Sequence, residues 1–284
     1  MKKIFKKKNW VEVLKIWPTV APPCRPSLFD LKIWENKIQK TLRQNKQPNA
    51  LVFGSTPEIR DLLAKYRISA TILDVNPGMV KGLLKLMKYK KQRKEKMIIN
   101  NWLNINKLFP TDSFDLVLGH CFFNNLSWRL HLKLAKSIQQ VLKKDGYLLM
   151  VSPILGEEKP LSPKQIVLMY QQNPRYFEQF ANRWYFSVER LKKLDYRQKT
   201  KQIFFSKIKM RLIKEIKKQK LPTEIINKIW PFGASDVMDN YVTAHPSLKN
   251  LIKILKDYFK VEKISFSPLS SGRCCPNFVL KPKK

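Results

Sequence analysis

The 284-residue sequence predicts an α/β protein built on a doubly wound, mostly parallel sheet. A short apolar run, residues 50–53, ends at Gly54 and is followed by apolar side chains at helical spacing in residues 59–66. A second apolar run, residues 70–73, ends in a single carboxylate, Asp74. The same alternation of strand and helix patterns returns further along the chain. Strands separated by helices pair in parallel, so these observations favour an α/β sheet.

The remaining elements follow from the same two periodicities. Prolines crowd residues 18–27 and predict an extended segment, because proline restricts both its own backbone and that of the preceding residue. The patterns predict helices over residues 9–17, 28–42, 127–142 and 248–258, and strands over residues 97–100, 114–118, 259–267 and 277–281. Residues 152–247 are an aromatic and basic region with helical spacing.

Polar and small residues follow the first two strands, at the edge where open α/β sheets bind their ligands. Gly54 allows a close backbone approach, Ser55 and Thr56 precede a helix, and Asp74 stands 20 positions after Gly54. A glycine, the amides that open a helix and a carboxylate that accepts ribose hydroxyls suit an adenosine-bearing cofactor.

The ordered runs of residues 50–151 resemble the nucleotide-binding half of the class I S-adenosylmethionine (SAM)-dependent methyltransferases. The Phe-Asp-Leu-Val-Leu-Gly run at 114–119 is similar to the fourth strand of that family, and residues 141–150 are similar to its fourth helix, turn and fifth strand. The resemblance implies a Rossmann-like sheet of seven strands with the last one antiparallel. It divides the chain into a helical leader (1–48), a SAM-binding core (49–155), a helical insertion or cap (156–246) and a last helix with two strands (247–284).

A narrower resemblance concerns a methyltransferase subgroup whose first turn reads Gly-Ser/Ala-Thr-Pro-Glu, as residues 54–58 do here. The Pro-Pro-Cys-Arg-Pro segment at 22–26 is similar to the leader of that subgroup. Members of this subgroup act on unassigned small substrates. The resemblance therefore implies a small-molecule methyl acceptor.

The resemblance also implies the site residues. The ribose is expected at Asp74. The adenine is expected near Val75 and Met79, with Asn101 and Trp102 as further contacts. The full set of expected cofactor contacts is Gly54, Ser55, Thr56, Asp74, Val75, Met79, Asn101, Trp102, Gly119 and His120. Expected substrate contacts are Arg25, Phe123 and Asn125, and neutral His120 is a candidate general base near pH 7.

Three departures from the family pattern fall at cofactor positions. The first turn has a single glycine, Asn101 stands where an acid usually accepts the adenine amino group, and His120 stands where an aspartate is expected. They leave open an alternative, an inactive methyltransferase-like domain that binds nucleic acid or protein through its basic surface. A dehydrogenase is a weaker alternative, since its pyrophosphate requires more glycines in the first turn.

The formal charge of +35, from 56 basic and 21 acidic residues, would attract any polyanion or anionic surface. The excess is mostly lysine scattered through the chain, which a compositional bias would also produce. The compact run at residues 90–96 is expected to be a solvated helix end, whereas residues 203–220 form a basic amphipathic pattern that suits an anionic surface.

The four cysteines, Cys24, Cys121, Cys274 and Cys275, show neither a disulfide framework nor a zinc-site spacing. We therefore expect reduced thiols, a cytoplasmic setting and no bound metal. The basic N-terminus lacks the long apolar stretch of a signal peptide, and no uncharged apolar run is long enough to span a membrane.

Overall fold

The computed structural model describes residues 14–15, 17–20, 22–155, 165, 172, 197, 199–218, 220, 223–224, 242–268 and 272–284. Most of the predicted helix at 9–17 and most of the predicted insertion at 156–246 lie outside these residues. The division of the chain into four units therefore stays a prediction for its first and third parts.

The described strands form one large sheet and one small one. In chain order they are β1 (Asn49–Phe53), β2 (Ser69–Asp74), β3 (Lys94–Ile99), β4 (Phe114–His120), β5 (Leu142–Val151), β6 (Gln202–Phe204), β7 (Val242–Ala244), β8 (Phe259–Ser265) and β9 (Asn277–Pro282). The large sheet has the order β3-β2-β1-β4-β5-β9-β8. Its first five strands are parallel, and β9 is antiparallel to both β5 and β8. The predicted seven-stranded, doubly wound fold is confirmed.

Helices cover both faces of the large sheet. In the described residues they are α1 (Leu28–Gln44), α2 (Pro57–Lys65), α3 (Pro77–Leu84), α4 (Ile105–Leu108), α5 (Trp128–Val141), α6 (Phe205–Lys218) and α7 (Leu248–Tyr258). Pro57 and Pro77 each open a helix, where the missing amide hydrogen costs nothing and the fixed φ suits the first turn. Both prolines thereby start their helices directly after the strand ends that carry Gly54 and Asp74.

Two apolar cores lie on opposite faces of the sheet. Trp34 and Ile38 of α1 belong to one core, with residues of α2 and α3. Leu134 of α5 and Leu251 of α7 belong to the other. Because both faces are covered along most of the sheet, the central strands are buried and hold their carboxyl ends rigidly at one edge.

A buried polar network fixes α1 to the last strand. Ser27 and Asp30 form a reciprocal cap at the start of α1. Asn277 Nδ2 donates to Asp30 Oδ1 at 2.9 Å, and Trp34 Nε1 donates to Asn277 Oδ1 at 3.1 Å. Each buried polar atom in this chain of contacts has a partner, so the network stabilises the position of the leader helix without leaving an unsatisfied group.

Two boundaries differ from the sequence-based expectation. Strand β3 begins at Lys94 rather than Met97, so the end of the basic run at 90–96 is an edge strand and not a helix end. Asp145 and Gly146 fall in the run at 141–150 for which the resemblance implies a helix, a turn and the fifth strand, but they lie inside β5 at a register shift against β4. A β-bulge accommodates these extra residues without ending the strand.

Candidate functional site

The turn after β1 leaves space beside its backbone. Gly54 has φ +81°, a conformation that side chains with a Cβ rarely adopt. Its amide donates to the Leu73 carbonyl of the neighbouring strand at 3.0 Å, which fixes the turn. A Cβ built on Gly54 would meet no heavy atom within 4 Å. The glycine therefore serves the backbone conformation, and a ligand can approach the chain closely at this point.

Asp74 stands beside this turn at the end of β2. Ser55 Oγ donates to its Oδ2 at 3.0 Å, and the amide of Asn76 donates to its Oδ1 at 2.9 Å. Burial raises the pKa of Asp74, and the bonds from Asn76 and Ser55 only partly offset this effect. An ionised carboxylate has about four acceptor positions, and the amides of Asn76 and Val75 and the Ser55 hydroxyl occupy three of them. Asp74 therefore retains capacity for a further donor, such as a ribose hydroxyl.

Exposed apolar side chains adjoin Asp74. Val75, the next residue, is 46% exposed. Ile99, which pairs with Asp74 in the register of β2 and β3, is 47% exposed and was not among the predicted site residues. Its signal in the sequence is its place at the end of the third apolar run. Met79 is instead buried against Trp17 and Leu83, so Val75 and Ile99 offer the apolar surface next to the carboxylate.

Asn101 and Trp102, after β3, both make contacts within the protein. Asn101 Oδ1 accepts the Leu103 amide at 2.9 Å and caps the short turn that follows. Trp102 Nε1 donates to the Leu73 carbonyl at 2.9 Å, and its ring stands edge-on to Phe53. The oxygen expected to accept an adenine amino group thus has one lone-pair direction in use, while Trp102 is held as a fixed wall.

Gly119, an expected cofactor contact, leaves room for a neighbouring aromatic ring. A Cβ at this position would lie 2.4 Å from Cδ1 of Phe122. The Phe122 ring is buried and stacks on Phe53 with centroids 4.7 Å apart and an interplanar angle of 4°. Phe122, rather than an open ligand channel, fills the space beside the Gly119 backbone.

His120 ends β4 and is buried. Burial lowers the pKa of its imidazole to about 4, although the nearby Asp30 carboxylate acts in the opposite direction. Its Nε2 lies 3.8 Å from Cys121 Sγ. A base with this pKa is neutral at pH 7 but accepts a proton poorly there, so the buried environment disfavours the expected role as a general base.

The three expected substrate residues have different environments. Phe123 has no exposed surface and packs against Phe122 and His131, so an acceptor could not reach its ring. Asn125 is exposed on the same turn. Arg25 forms an ion pair with Glu58 and donates to the Trp17 and Val20 carbonyls at 3.4 and 3.5 Å. Of the three, Asn125 is the side chain that faces solvent most openly.

The leader crosses from one strand end to the next. Trp17 Nε1 donates to Glu58 Oε1 at 3.3 Å, and the Trp17 ring packs against Met79 and Leu83 of α3. Glu58 lies in the first turn of α2, directly after β1, whereas Met79 lies in α3, directly after β2. The segment around Trp17 therefore lies across the edge that carries Ser55 and Asp74.

Other kinds of site find little support in the described residues. Within that part of the chain, no group of three or more His, Cys, Asp or Glu side chains is arranged to hold a metal ion. The same described residues include no helix with the length and apolar character needed to cross a membrane.

Residues 53–150 match the model of a protein family described as a methyltransferase domain. The matched segment begins at the last residue of β1 and ends within β5, so it contains the turns and strand ends just described. The match shows that this segment is similar to methyltransferase domains. Among curated proteins, none matches the chain.

Solved structures with low sequence identity share the fold. The PH0226 protein of Pyrococcus horikoshii is 13% identical, with 98% of this chain and 100% of that chain covered and a TM-score of 0.55. A Rhodobacter sphaeroides protein provisionally described as a zinc-dependent alcohol dehydrogenase is 14% identical over 96% and 97%, with a TM-score of 0.58. A SAM-dependent methyltransferase of Methanosarcina mazei is 16% identical over 87% and 96%, with a TM-score of 0.50. These likenesses support the fold alone.

Proposed function

We propose that the protein is a SAM-dependent methyltransferase that acts on a small molecule. The observation that carries the proposal is the carboxylate of Asp74 beside the open turn at Gly54, within the segment that matches a methyltransferase domain. Asp74 would accept the ribose hydroxyls, and Val75 and Ile99 would contact the adenine. Ser55 holds the carboxylate in place for this contact.

Methyl transfer places modest demands on the protein. SAM supplies a methyl group on a positively charged sulfur, ready for in-line attack by a nucleophilic atom. The protein then chiefly has to align the acceptor with that methyl group and exclude water. Buried His120, with its pKa of about 4, is not required as a base. We therefore assign no general base.

The leader favours a small acceptor and the narrower subgroup. Arg25 belongs to the Pro-Pro-Cys-Arg-Pro segment and Glu58 to the Gly-Ser-Thr-Pro-Glu turn, so their ion pair joins the two segments that carry the subgroup resemblance. Trp17 contacts both Glu58 and Met79, so the leader lies along one side of the sheet edge that carries Ser55 and Asp74. A bordered edge suits a compact acceptor better than an extended one.

Transfer of label from [methyl-³H]SAM to a small-molecule extract tests the proposal. Wild-type protein should label at least one small product, and Asp74→Ala should label none. Asp257→Ala, which removes an exposed carboxylate of α7, is the matched control and should behave as wild type. A wild type that binds SAM but labels nothing in small-molecule, protein and nucleic-acid fractions would instead favour the inactive, binding-only alternative.

A further inference from the structure

A cleft of about 610 Å³ lies at the edge of the sheet opposite the candidate cofactor site. Its lining comes from the first residues of four parallel strands, including Asn49 of β1, Ser69 of β2, Lys94 of β3 and Phe114 of β4. Strands of five to seven residues separate the two edges by roughly 15–20 Å. The cleft is therefore a separate surface and not part of the site that Asp74 marks.

Strand register places its polar side chains on one face. Asn49 pairs with Ser69 and Ser69 with Lys94, while Thr71 pairs with Lys96 two residues further along. Paired residues of a parallel sheet point to the same side, and side chains two apart in a strand share a face. Polar and charged groups thus form one row across β1, β2 and β3 (Asn49, Ser69 and Lys94) and a second row across β2 and β3 (Thr71 and Lys96).

The acidic residue of the lining does not neutralise this face. Glu95 lies between the two lysines and points to the opposite face, where Arg60 binds both of its carboxylate oxygens at 2.9 and 2.7 Å. The Arg60 and Glu95 side chains are 0% and 4% exposed. No carboxylate of the described residues lies within salt-bridge distance of Lys94 or Lys96, and both lysines are exposed.

Neighbouring acids are also paired. Asp115, near the start of β4, accepts hydrogen bonds from the Lys143 ammonium group and from the backbone amide of Asn49. Asp112 is paired with Lys284. Arg93 is exposed at the rim of the cleft and adds a third cation there, which donates to the Lys90 carbonyl and lies 3.7 Å from a Glu95 carboxylate oxygen. The cleft consequently carries net positive charge in a chain whose formal charge is +35.

The composition of the cleft indicates which anion fits. Serine and threonine hydroxyls and lysine ammonium groups are the usual donors to phosphate oxygens. The apolar residues of the lining, Ala50, Ala70 and Phe114, are buried, so the surface exposes no apolar side chain that could enter a bilayer. Phe114, the aromatic residue of the lining, is buried and offers no exposed ring on which a base could stack. We therefore expect a ligand of this cleft to be bound through its phosphates and not through its bases.

We propose that this cleft binds the phosphodiester backbone of a single-stranded nucleic acid, without base specificity. Lys94 and Lys96 contact the phosphates from β3, while Ser69 and Thr71 donate from β2. Arg93 adds positive charge at the rim. The sheet edge that carries Ser55 and Asp74 remains open when the nucleic acid is bound, because the two sites lie at opposite ends of the strands.

Fluorescence anisotropy of a labelled oligouridine across a series of salt concentrations tests the proposal. The variant Lys94→Ala/Lys96→Ala should weaken binding and reduce the slope of log affinity against log salt by about 1.4, from about 0.7 for each lost phosphate contact. The control Lys253→Ala/Lys256→Ala removes the same charge from exposed positions of α7. It should retain the wild-type slope. Circular dichroism and SAM titration of each variant report on folding and on the cofactor edge.

Three outcomes would overturn the proposal. Absence of oligouridine binding by the wild type at low salt excludes a phosphodiester ligand. Equal losses in the two double variants would show that the attraction is spread over the whole surface. Binding to vesicles containing phosphatidylserine that depends on Lys94 and Lys96, without oligouridine binding, would assign the cleft to a membrane surface instead.

Discussion

Arg25 of the leader forms an ion pair with Glu58 at the start of α2, and Trp17 Nε1 donates to the same carboxylate oxygen at 3.3 Å. The pair joins two segments that are 33 residues apart in the sequence. It holds the leader beside the turn that contains Gly54. The Glu58 side chain is only 13% exposed, so loss of the cation that pairs with its carboxylate is costly.

Arg25→Met should lower the free energy of unfolding by about 1–3 kcal/mol, because it leaves a largely buried carboxylate without its charged donor. Glu58→Gln retains an acceptor for Trp17 while removing the charge. Urea denaturation of both single variants and the double variant forms a double-mutant cycle. A coupling energy above about 0.5 kcal/mol is expected, and strictly additive effects would show that the pair contributes nothing.

Gly119→Ala should destabilise the protein by about 1–3 kcal/mol through overpacking, because the new methyl group collides with the Phe122 ring. Phe122→Leu makes room at this position, so the double variant should be more stable than the sum of the single effects predicts. Thermal denaturation of the three variants measures the coupling. If Gly119→Ala is as stable as the wild type, Phe122 does not occupy the space beside Gly119.

Lowering the pH should begin to destabilise the protein at pH values well above those at which most carboxyl groups titrate. Burial lowers the pKa of His120 and His131 to about 4 and that of His245 to about 3, from an ordinary value of 6.5. Between these values the unfolded chain binds protons that the folded chain does not, so stability is complete above pH 6.5 and is lost as the pH falls toward 4.

Each of these histidines contributes up to about 1.4 kcal/mol for each pH unit in that window. Urea denaturation at pH 7 and pH 5 should therefore give a clearly lower free energy of unfolding at pH 5. Equal free energies at the two pH values would mean that the three imidazoles are accessible to protons in the folded protein.

Asp74→Asn should leave the protein at least as stable as the wild type at pH 7. Burial raises the pKa of the carboxyl, so the folded state disfavours the ionised form and loses stability as the pH rises above the ordinary value of 3.8. Asparagine removes this cost and can still accept from Asn76 and donate to Ser55. Urea denaturation across this pH range checks the direction. A strongly destabilised variant at pH 7 would show that the charge stabilises the fold.

Local patterns predict most of the sheet and its helices because the apolar side chains of buried elements recur at regular intervals. The helix at Leu248–Tyr258 has the predicted bounds. The predicted start of β3 was wrong because Lys94 and Lys96 belong to an edge strand, where charged side chains are common. No alternation of apolar side chains marks this part of the strand. Periodicity carries little information at such an edge.

The candidate site was less predictable because its details depend on contacts between distant residues. The sequence indicated Gly54 and Asp74 through their places at strand ends. It did not indicate that Phe122 covers Gly119, nor that Glu58 binds Arg25. The depth of burial that lowers the pKa of His120 likewise depends on how leader and sheet pack together.

Calorimetric titration with S-adenosylhomocysteine tests the central claim most directly, because it requires no acceptor. The wild type and the control Asp257→Ala should bind with the same affinity. Asp74→Asn should bind about 10–100-fold more weakly, as expected when neutral groups replace hydrogen bonds to a charged acceptor. Absence of binding by the folded wild type, or equal affinity of Asp74→Asn, would contradict the assignment of this edge as the cofactor site.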